Sequence, residues 1–141
     1  MKKYKVGYTQ GTYDLFHVGH LNLLENAKKN CDYLIVGVNS DQLVKDYKNK
    51  DVVISDKNRA RIISALKVVD EVHIVDTLDK KEILKKYDFD AIFIGDDWKG
   101  NSRWMQTEND MKALGKNVVF LPHTDGISTT LINTVIHNRK N

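Results

Sequence analysis

Two histidines, His17 and His20, come just before a segment whose apolar residues have helical spacing. Side chains three residues apart project toward the same side of a helix, so we expect the two imidazoles to lie together. Gly11 and Gly19 allow the backbone to approach a ligand closely, and a helix N-terminus offers free N–H groups to phosphate. This pattern predicts a site at which two imidazoles stabilise charge on a transferring phosphate.

Two other interpretations of the histidine pair stay open. The imidazoles could form half of a metal site, but zinc needs further ligands, and Asp14, Cys31 and the remaining histidines follow no recognisable ligand spacing. The histidines could also simply pack against or cap the helix. We favour the phosphate site and predict that no metal ion is held by protein side chains alone.

A second group of candidate residues lies in the segment from Asp41 to Asp51, which is polar and rich in lysine. Its pattern is only partly helical, so we predict a long functional loop, because structureless segments of this length often carry function. Lys48 and Lys50 could reach the phosphates of a nucleotide and of a second substrate. The alternative is that both are surface lysines on a mobile loop.

Adjacent acidic residues, Asp96 and Asp97, follow a short apolar run and precede Trp98. Carboxylates at the end of a parallel strand can hold a metal ion or accept hydrogen bonds from a nucleobase. The alternative is that the two acids merely begin a loop and that Trp98 packs against the protein.

Hydroxyl-bearing residues, Ser128 and Thr129, follow Gly126 at the start of the last helical pattern. Hydroxyls and backbone N–H groups at such a start can form a second phosphate cradle. An ordinary N-cap would use the same residues, so the residues alone leave both interpretations open.

These candidates are separated by apolar runs and helical patterns that alternate along the chain. We predict strands at Lys5–Thr9, Tyr33–Asn39, Glu71–Val75, Ala91–Ile94 and Val118–Leu121. We predict helices at His20–Lys29, Asp56–Leu66, Lys80–Tyr87, Trp104–Leu114 and Thr129–Asn138. Such alternation is typical of an α/β fold with a parallel sheet covered by helices on both faces. The candidate residues then follow strand ends, where an open parallel sheet binds its ligand.

Composition limits the classes of function. The 141 residues suffice for one domain, residues 1–141, with a real core. The net charge of +3 is spread among many acids and bases without a basic block, which suits a small anionic substrate better than nucleic acid. One cysteine, no signal-peptide core and no apolar run of bilayer length predict a cytoplasmic protein without a membrane partner.

Three motifs resemble those of a known family. Gly11-Thr12-Tyr13-Asp14 followed by His17-Val18-Gly19-His20 is similar to the signature of the HxGH nucleotidyltransferase superfamily. The segments 95–98 and 126–130 resemble the GDDW and RTEGIST motifs of its cytidylyltransferase group. The motifs stand in the family's order, and the resemblance runs from about Tyr4 to the final helix. It implies a single Rossmann-like domain with a parallel five-stranded sheet flanked by helices.

The resemblance also implies an activity. The phosphate of a small alcohol phosphate would attack the α-phosphorus of CTP, giving a CDP-alcohol and pyrophosphate, with Mg²⁺ carried on the triphosphate. Glycerol 3-phosphate is the first choice of acceptor, and other glycerol phosphates, phosphocholine, phosphoethanolamine or a sugar phosphate stay open. So do an ATP-using adenylyltransferase and a nucleotide-binding regulator without catalysis. A homodimer is implied as well.

The resemblance assigns roles residue by residue. Catalysis falls to His17, His20, Lys48 and Lys50. Nucleotide binding falls to Thr9, Gly11, Thr12, Asp14, His17, His20, Asp97, Trp98, His123, Thr124, Gly126, Ile127, Ser128 and Thr129. Acceptor binding falls to Lys50, Arg59 and Lys67.

The chain departs from the family pattern at several positions. His123 replaces the arginine of the last motif, and Asp125 replaces its glutamate. A histidine is shorter than an arginine and only partly protonated near neutral pH, so the affinity for the nucleotide is expected to change. At the position of Lys67, a relative in this family has an arginine, whose guanidinium group binds phosphate bidentately. The segment Asn101–Lys116 is longer than in that relative, which would alter the acceptor pocket or a dimer surface.

Overall fold

Strands and helices alternate over residues 3–139, the part of the chain that the computed structural model describes. The strands are β1 (Tyr4–Gly11), β2 (Cys31–Asn39), β3 (Glu71–Val75), β4 (Ala91–Gly95) and β5 (Asn117–Leu121). The helices are α1 (Val18–Lys29), α2 (Asp41–Lys48), α3 (Asp56–Ser64), α4 (Lys80–Tyr87), α5 (Ser102–Ala113) and α6 (Thr129–Arg139). A single 3₁₀ turn in this part of the chain, Asp96–Trp98, directly follows β4.

The five strands form one parallel sheet in the order β3-β2-β1-β4-β5. The chain runs outward from β1 to β3 on one side and then returns to continue from β4 to β5 on the other. The strand order therefore reverses between β1 and β4, and a crevice opens at the carboxyl ends of these two strands. The predicted five-stranded parallel sheet is confirmed.

The strands are nearly continuous apolar runs because helices cover both faces of the sheet. All five residues of β4 are buried. Against one face pack Leu24 of α1 and Ile63 of α3, and against the other pack Ile83 of α4 and Met111 of α5. At the centre, a Cβ on Gly7 of β1 would lie 2.4 Å from the Phe93 ring, so the close packing there requires glycine.

One prediction about local structure was wrong. The segment predicted as a loop from Asp41 to Asp51 forms a helix, α2, over most of its length. The Ser40 side chain caps this helix by accepting a hydrogen bond from the Leu43 amide at 3.0 Å, and Asn49 ends it in the left-handed conformation with φ 51°. Only two residues of this helix, Leu43 and Val44, are buried, so its apolar stripe is narrow and is hard to recognise in a polar sequence.

The remaining helices begin and end close to the predicted positions. Helices α1 and α5 each begin two residues earlier than expected, because His17 and Asn101 cap them with their side chains. Helix α3 ends two residues earlier than expected, at Ser64. Within the described part of the chain, no helix combines the length and apolar character that crossing a membrane requires.

Candidate active site

A cavity of about 680 Å³ opens at the carboxyl ends of β1 and β4, where the strand order reverses. Five segments supply most of its lining: the turn from β1 to α1, the end of α2, the turn after β4, the start of α5 and the segment leading into α6. Most of the predicted site residues lie on this lining. They are Gly11, Thr12, Asp14, His17, His20, Lys48, Lys50, Asp97, Trp98, His123, Thr124, Gly126, Ile127, Ser128 and Thr129.

The two histidines of the first turn lie face to face, with ring centroids 3.8 Å apart. His17 is the N-cap of α1, and its Nδ1 accepts a hydrogen bond from the Gly19 amide at 3.1 Å. The Nδ1 of His20 accepts from the backbone amide of His17, also at 3.1 Å. Because each Nδ1 is an acceptor, the proton of each neutral ring lies on Nε2, which remains available as a donor.

The electrostatic surroundings keep both rings neutral. Burial lowers the pKa of His17. Burial, with a smaller contribution from His17, lowers the pKa of His20 to about 4, and the nearby charge of Asp14 opposes this only in part. At neutral pH the pair is therefore a set of N–H donors rather than a pair of cations. Glycine at position 19 leaves space for the His17 ring, since a Cβ there would lie 2.9 Å from it.

Asp14 acts through the backbone of another segment. Its side chain is buried, and its two oxygens accept hydrogen bonds from the amides of Val53 and Ile54 at 2.7 and 2.9 Å. Its carbonyl accepts a bond from the Thr129 hydroxyl at 2.6 Å. Asp14 lines the cavity, and its carboxylate fixes the segment that carries Lys50. Its assignment to nucleotide binding stays a prediction.

The predicted role of Arg59 in binding the acceptor is also corrected. Arg59 is only 1% exposed and does not line the cavity. Its guanidinium donates to the carbonyls of Ile54, Thr12 and Asn39 at 2.6–2.8 Å and to the carboxylate of Asp41 at 2.6 Å. With its donors committed in this way, Arg59 ties the β1–α1 turn to the segment between α2 and α3.

Two further assignments are corrected by position. Lys67 is exposed in the turn between α3 and the amino end of β3, whereas the cavity opens at the carboxyl ends of the strands. It is therefore remote from the cavity within this chain. Thr9 is fully buried in β1 and is absent from the lining, and its hydroxyl donates to the Phe93 carbonyl at 2.8 Å, which joins β1 to β4.

Lys48 and Lys50 lie at the end of α2 and just beyond it, on either side of the left-handed Asn49. Both line the cavity, and neither makes an ion pair with any residue that the structure describes. The Lys48 ammonium lies 5.4 Å from the centre of the Tyr47 ring. Two cations without carboxylate partners thus face a cavity that is suited to an anion.

The turn after β4 separates its two acids. A Cβ on Gly95 would lie 2.5 Å from an Asp97 oxygen, so this turn brings the carboxylate over the backbone at the cavity. Asp96 instead pairs with His123, whose Nδ1 contacts its carboxylate, while the Nε2 of His123 lies 2.9 Å from Asp125. The hydrogen bond that His123 donates to Asp96 raises the pKa of His123, and the same contact lowers the pKa of Asp96.

Asp96, Asp97 and His123 also form the one group among the described residues whose donor atoms, all within 4.8 Å of one another, could share a metal ion. All three are exposed, and exposed acids commonly cluster without an ion. The expectation that the protein alone holds no metal ion stays a prediction.

The start of α6 serves two purposes. Ser128 caps the helix, because its hydroxyl accepts from the Leu131 amide at 3.0 Å, so the N-cap interpretation holds. The same segment lines the cavity, with Gly126 in the left-handed conformation at φ 79°. The Thr124 hydroxyl accepts a bond from the Asn22 side chain at 2.9 Å, which ties this segment to α1. Backbone N–H groups of a helix start therefore face a cavity that also holds the histidine pair.

Several lining residues were missed by sequence reasoning. They are Gln10, Asn39, Tyr47, Leu78, Arg103 and Trp104. Gln10 and Asn39 lie at the carboxyl ends of β1 and β2, which is the signal that could have identified them. The longer stretch after Asn101 contributes as well: Trp104 is buried under the cavity, and the Arg103 guanidinium lies 5.7 Å from the centre of the Trp98 ring.

Comparison with known proteins gives consistent results. A model of the cytidylyltransferase-like family matches residues 8–135. Glycerol-3-phosphate cytidylyltransferase from Bacillus spizizenii is 41% identical over 125 residues, which cover 88% of this chain and 91% of that protein. The enzyme of the same name from Bacillus subtilis is 36% identical over 129 residues, covering 91% and 94%.

Among solved structures, the lipopolysaccharide core biosynthesis protein from Thermoplasma volcanium superposes with a TM-score of 0.70. The match covers 86% of this chain and 97% of that one. At 24% identity it supports the fold alone.

Proposed function

Because the chain belongs to the cytidylyltransferase-like family and is a nucleotidyltransferase, we propose that it transfers CMP from CTP to glycerol 3-phosphate. The products would be CDP-glycerol and pyrophosphate. One observation carries the proposal: the paired histidines, Lys48, Lys50, Asp97 and the start of α6 line the same cavity. The named activity of relatives that match nearly the whole chain gives the choice of acceptor.

The reaction needs no protein nucleophile. An oxygen of the acceptor phosphate forms a bond to the α-phosphorus of CTP, and the bond from that phosphorus to the bridging oxygen breaks. Pyrophosphate leaves with the electron pair. Catalysis then comes from alignment of the two substrates and from stabilisation of the charge that develops on the transferring group.

In this proposal, the Nε2–H groups of His17 and His20 donate to oxygens of the transferring phosphate. Neutral imidazoles suit that role, since they donate hydrogen bonds without first losing or gaining a proton. Lys48 and Lys50 neutralise the nucleotide and acceptor phosphates and hold them in line. The amides and hydroxyls at the start of α6 hold the triphosphate.

The proposed binding site for the cytosine base is the turn after β4. A carboxylate accepts a hydrogen bond from the exocyclic amine of cytosine, and Asp97 offers one in the cavity. His123, with its raised pKa, supplies positive charge where related motifs have arginine. The aromatic side chain of Trp98 bounds this part of the cavity.

We propose that Mg²⁺ enters with the triphosphate. Mg²⁺ prefers oxygen ligands and keeps several of its waters. Because the Asp14 oxygens are engaged by two amides and Asp97 is assigned to the base, triphosphate oxygens and water would supply most of its ligands. When bound, the ion would neutralise charge on the leaving pyrophosphate. We further propose a homodimer in the cytoplasm. Exposed apolar side chains on α3 and on the edge strand β3, Ile62 and Ile74, support a contact between copies.

The test is pyrophosphate release in the presence of Mg²⁺, with CTP or ATP and a panel of alcohol phosphates. We expect release with CTP and glycerol 3-phosphate. Release with ATP alone would assign the protein to adenylyl transfer and contradict the role of Asp97. Tight CTP binding without release against any acceptor would indicate a regulator. Sedimentation over a concentration series tests the dimer, which a monomer at every concentration would contradict.

A further inference from the structure

A chain of neutral polar side chains forms one wall of the cavity beside the two lysines. We call it the polar wall; its members are Gln10, Thr12, Asn39 and Tyr47, and all four line the cavity. They come from the end of β1, the turn after it, the end of β2 and the end of α2. None of them has a role in the phosphate chemistry proposed above, although the family resemblance assigns Thr12 to nucleotide binding.

Gln10 fixes the direction of the hydrogen bonds in the polar wall. Its Oε1 accepts from the Tyr8 hydroxyl at 2.6 Å. Its Nε2 donates to Asn39 Oδ1 at 2.8 Å and to the Thr77 carbonyl at 2.9 Å. Both N–H groups of Gln10 are thereby used, and the amide of Asn39 is held in one orientation.

Asn39, oriented in this way, donates hydrogen bonds to two hydroxyls. Its Nδ2 donates to Thr12 Oγ1 at 3.2 Å and to the Tyr47 hydroxyl at 3.3 Å, so both oxygens act as acceptors toward it. The two hydroxyls lie 3.4 Å apart, and only one hydrogen can lie between them. At least one hydroxyl hydrogen of this pair must therefore be directed elsewhere, and both residues line the cavity.

The position of the pair decides what it would contact. Tyr47 immediately precedes Lys48, whose ammonium lies 5.4 Å from the centre of the Tyr47 ring. A ligand whose phosphate is bound by Lys48 would therefore bring its alcohol portion close to the two hydroxyls. Hydroxyl groups of a polyol are matched by partners that both donate and accept, which is what Thr12 and Tyr47 provide.

We infer that Thr12 and Tyr47 read a hydroxyl group of the acceptor, so that the enzyme selects polyol phosphates over phosphates without a hydroxyl or with a cationic head group. The inference rests on the proposed function. A choline or ethanolamine head group would bring positive charge beside Lys48, and the carboxylate of Asp14 is already engaged by two amides. The polar wall thus favours hydroxyls by hydrogen bonding, and the charge of Lys48 disfavours a cationic head group.

The experiment compares kcat/KM for glycerol 3-phosphate, propyl phosphate and phosphocholine in the wild type and in Tyr47→Phe, each with CTP and Mg²⁺. We expect the wild type to prefer glycerol 3-phosphate, and the variant to lose about tenfold of its preference over propyl phosphate. In Tyr47→Phe, the KM for CTP should stay unchanged. Thr12→Val should act in the same direction.

The matched control is Tyr33→Phe. The Tyr33 hydroxyl is bonded to Glu71 at 2.8 Å, outside the cavity, so this variant should keep the wild-type preference. An active Tyr47→Phe variant with an unchanged preference would overturn the inference alone. A wild type that prefers phosphocholine would overturn both the inference and the choice of glycerol 3-phosphate as acceptor. A wild type that releases no pyrophosphate with any polyol phosphate would overturn the proposed function together with the inference.

Discussion

The carbonyl of Asp14 accepts a hydrogen bond from the hydroxyl of Thr129, 115 residues further along the chain, at 2.6 Å. The carboxylate of the same Asp14 holds the amides of Val53 and Ile54. One buried residue in the first turn thus connects the lysine segment with the start of the last helix. The cavity is assembled from distant segments, and its geometry depends on these few contacts.

The first prediction concerns the histidine pair. His17→Ala should lower kcat by at least about a hundredfold, ~2.7 kcal/mol, because a donor to the transferring phosphate is lost. The alanine variant also loses the cap of α1, which costs about 1 kcal/mol of stability. His17→Asn keeps a capping side chain but removes the imidazole donor, so it should lose kcat with a smaller change in Tm. Wild-type turnover in the asparagine variant would contradict the role.

The second prediction concerns Asp14. In Asp14→Asn, the side-chain amide can no longer accept both backbone N–H groups, so the segment from Asn49 to Ser55 should open more often. We expect faster proteolysis within that segment and a lower kcat/KM for the acceptor. Asp46→Asn, an exposed change on α2 outside the cavity, is the control and should resemble the wild type. Unchanged proteolysis and kinetics in Asp14→Asn would show that the hydrogen bonds from Val53 and Ile54 to the Asp14 carboxylate are dispensable.

The third prediction separates Arg59 from Lys67. Arg59→Met leaves the buried carbonyls of Thr12 and Asn39 and the carboxylate of Asp41 without their donor, and should cost about 3 kcal/mol of unfolding free energy. Lys67→Met, at an exposed position, should change stability by less than about 0.5 kcal/mol. Denaturant unfolding of both variants is the measurement. A small loss in Arg59→Met would refute the structural role of Arg59.

The fourth prediction is a pH dependence of CTP binding. The hydrogen bond that His123 donates to Asp96 raises the pKa of His123, and the charges of Asp125 and Asp97 add to this. The protonated form is favourable for an anionic ligand, so affinity should be full below the ordinary histidine pKa and fall as pH rises through the raised value. Titration of CTP binding between pH 5.5 and 8.5 tests this. His123→Arg should bind CTP with little pH dependence in that range, and a wild type without any pH dependence would contradict the proposal.

The fifth prediction concerns a buried hydroxyl. The buried Tyr13 hydroxyl makes no hydrogen bond of ordinary geometry with the described residues. Burial raises the pKa of Tyr13, and the nearby Thr9 side chain opposes this in part. Removing an unsatisfied polar atom should be neutral or stabilise Tyr13→Phe by up to about 1 kcal/mol. In the control, Tyr8→Phe, a hydroxyl bonded to Gln10 is lost, and stability should fall by about 1 kcal/mol. Thermal unfolding compares the two, and a marked loss in Tyr13→Phe would reveal an undetected partner.

Much of the fold could be predicted from the sequence because its signals are local. The buried run in β4 and the helical spacing of α4 are read from neighbouring residues, and Glu71–Val75 and Lys80–Tyr87 were predicted with the observed limits. Helix α2 was missed because most of its residues are polar and only two, Leu43 and Val44, are buried. Their burial depends on other segments of the chain, which a local pattern does not show.

The amino-acid sequence by itself determined which residues follow the strand ends, and therefore that His17, His20, Asp97 and Ser128 belong to one edge of the sheet. Only the tertiary structure decided what Asp14 and Arg59 do. A charged group can face a ligand or bind the backbone, and the choice depends on which atoms other segments bring within about 3 Å. Asp14 meets amides 39 and 40 residues away, and Arg59 meets a carbonyl 47 residues away, which no local pattern contains.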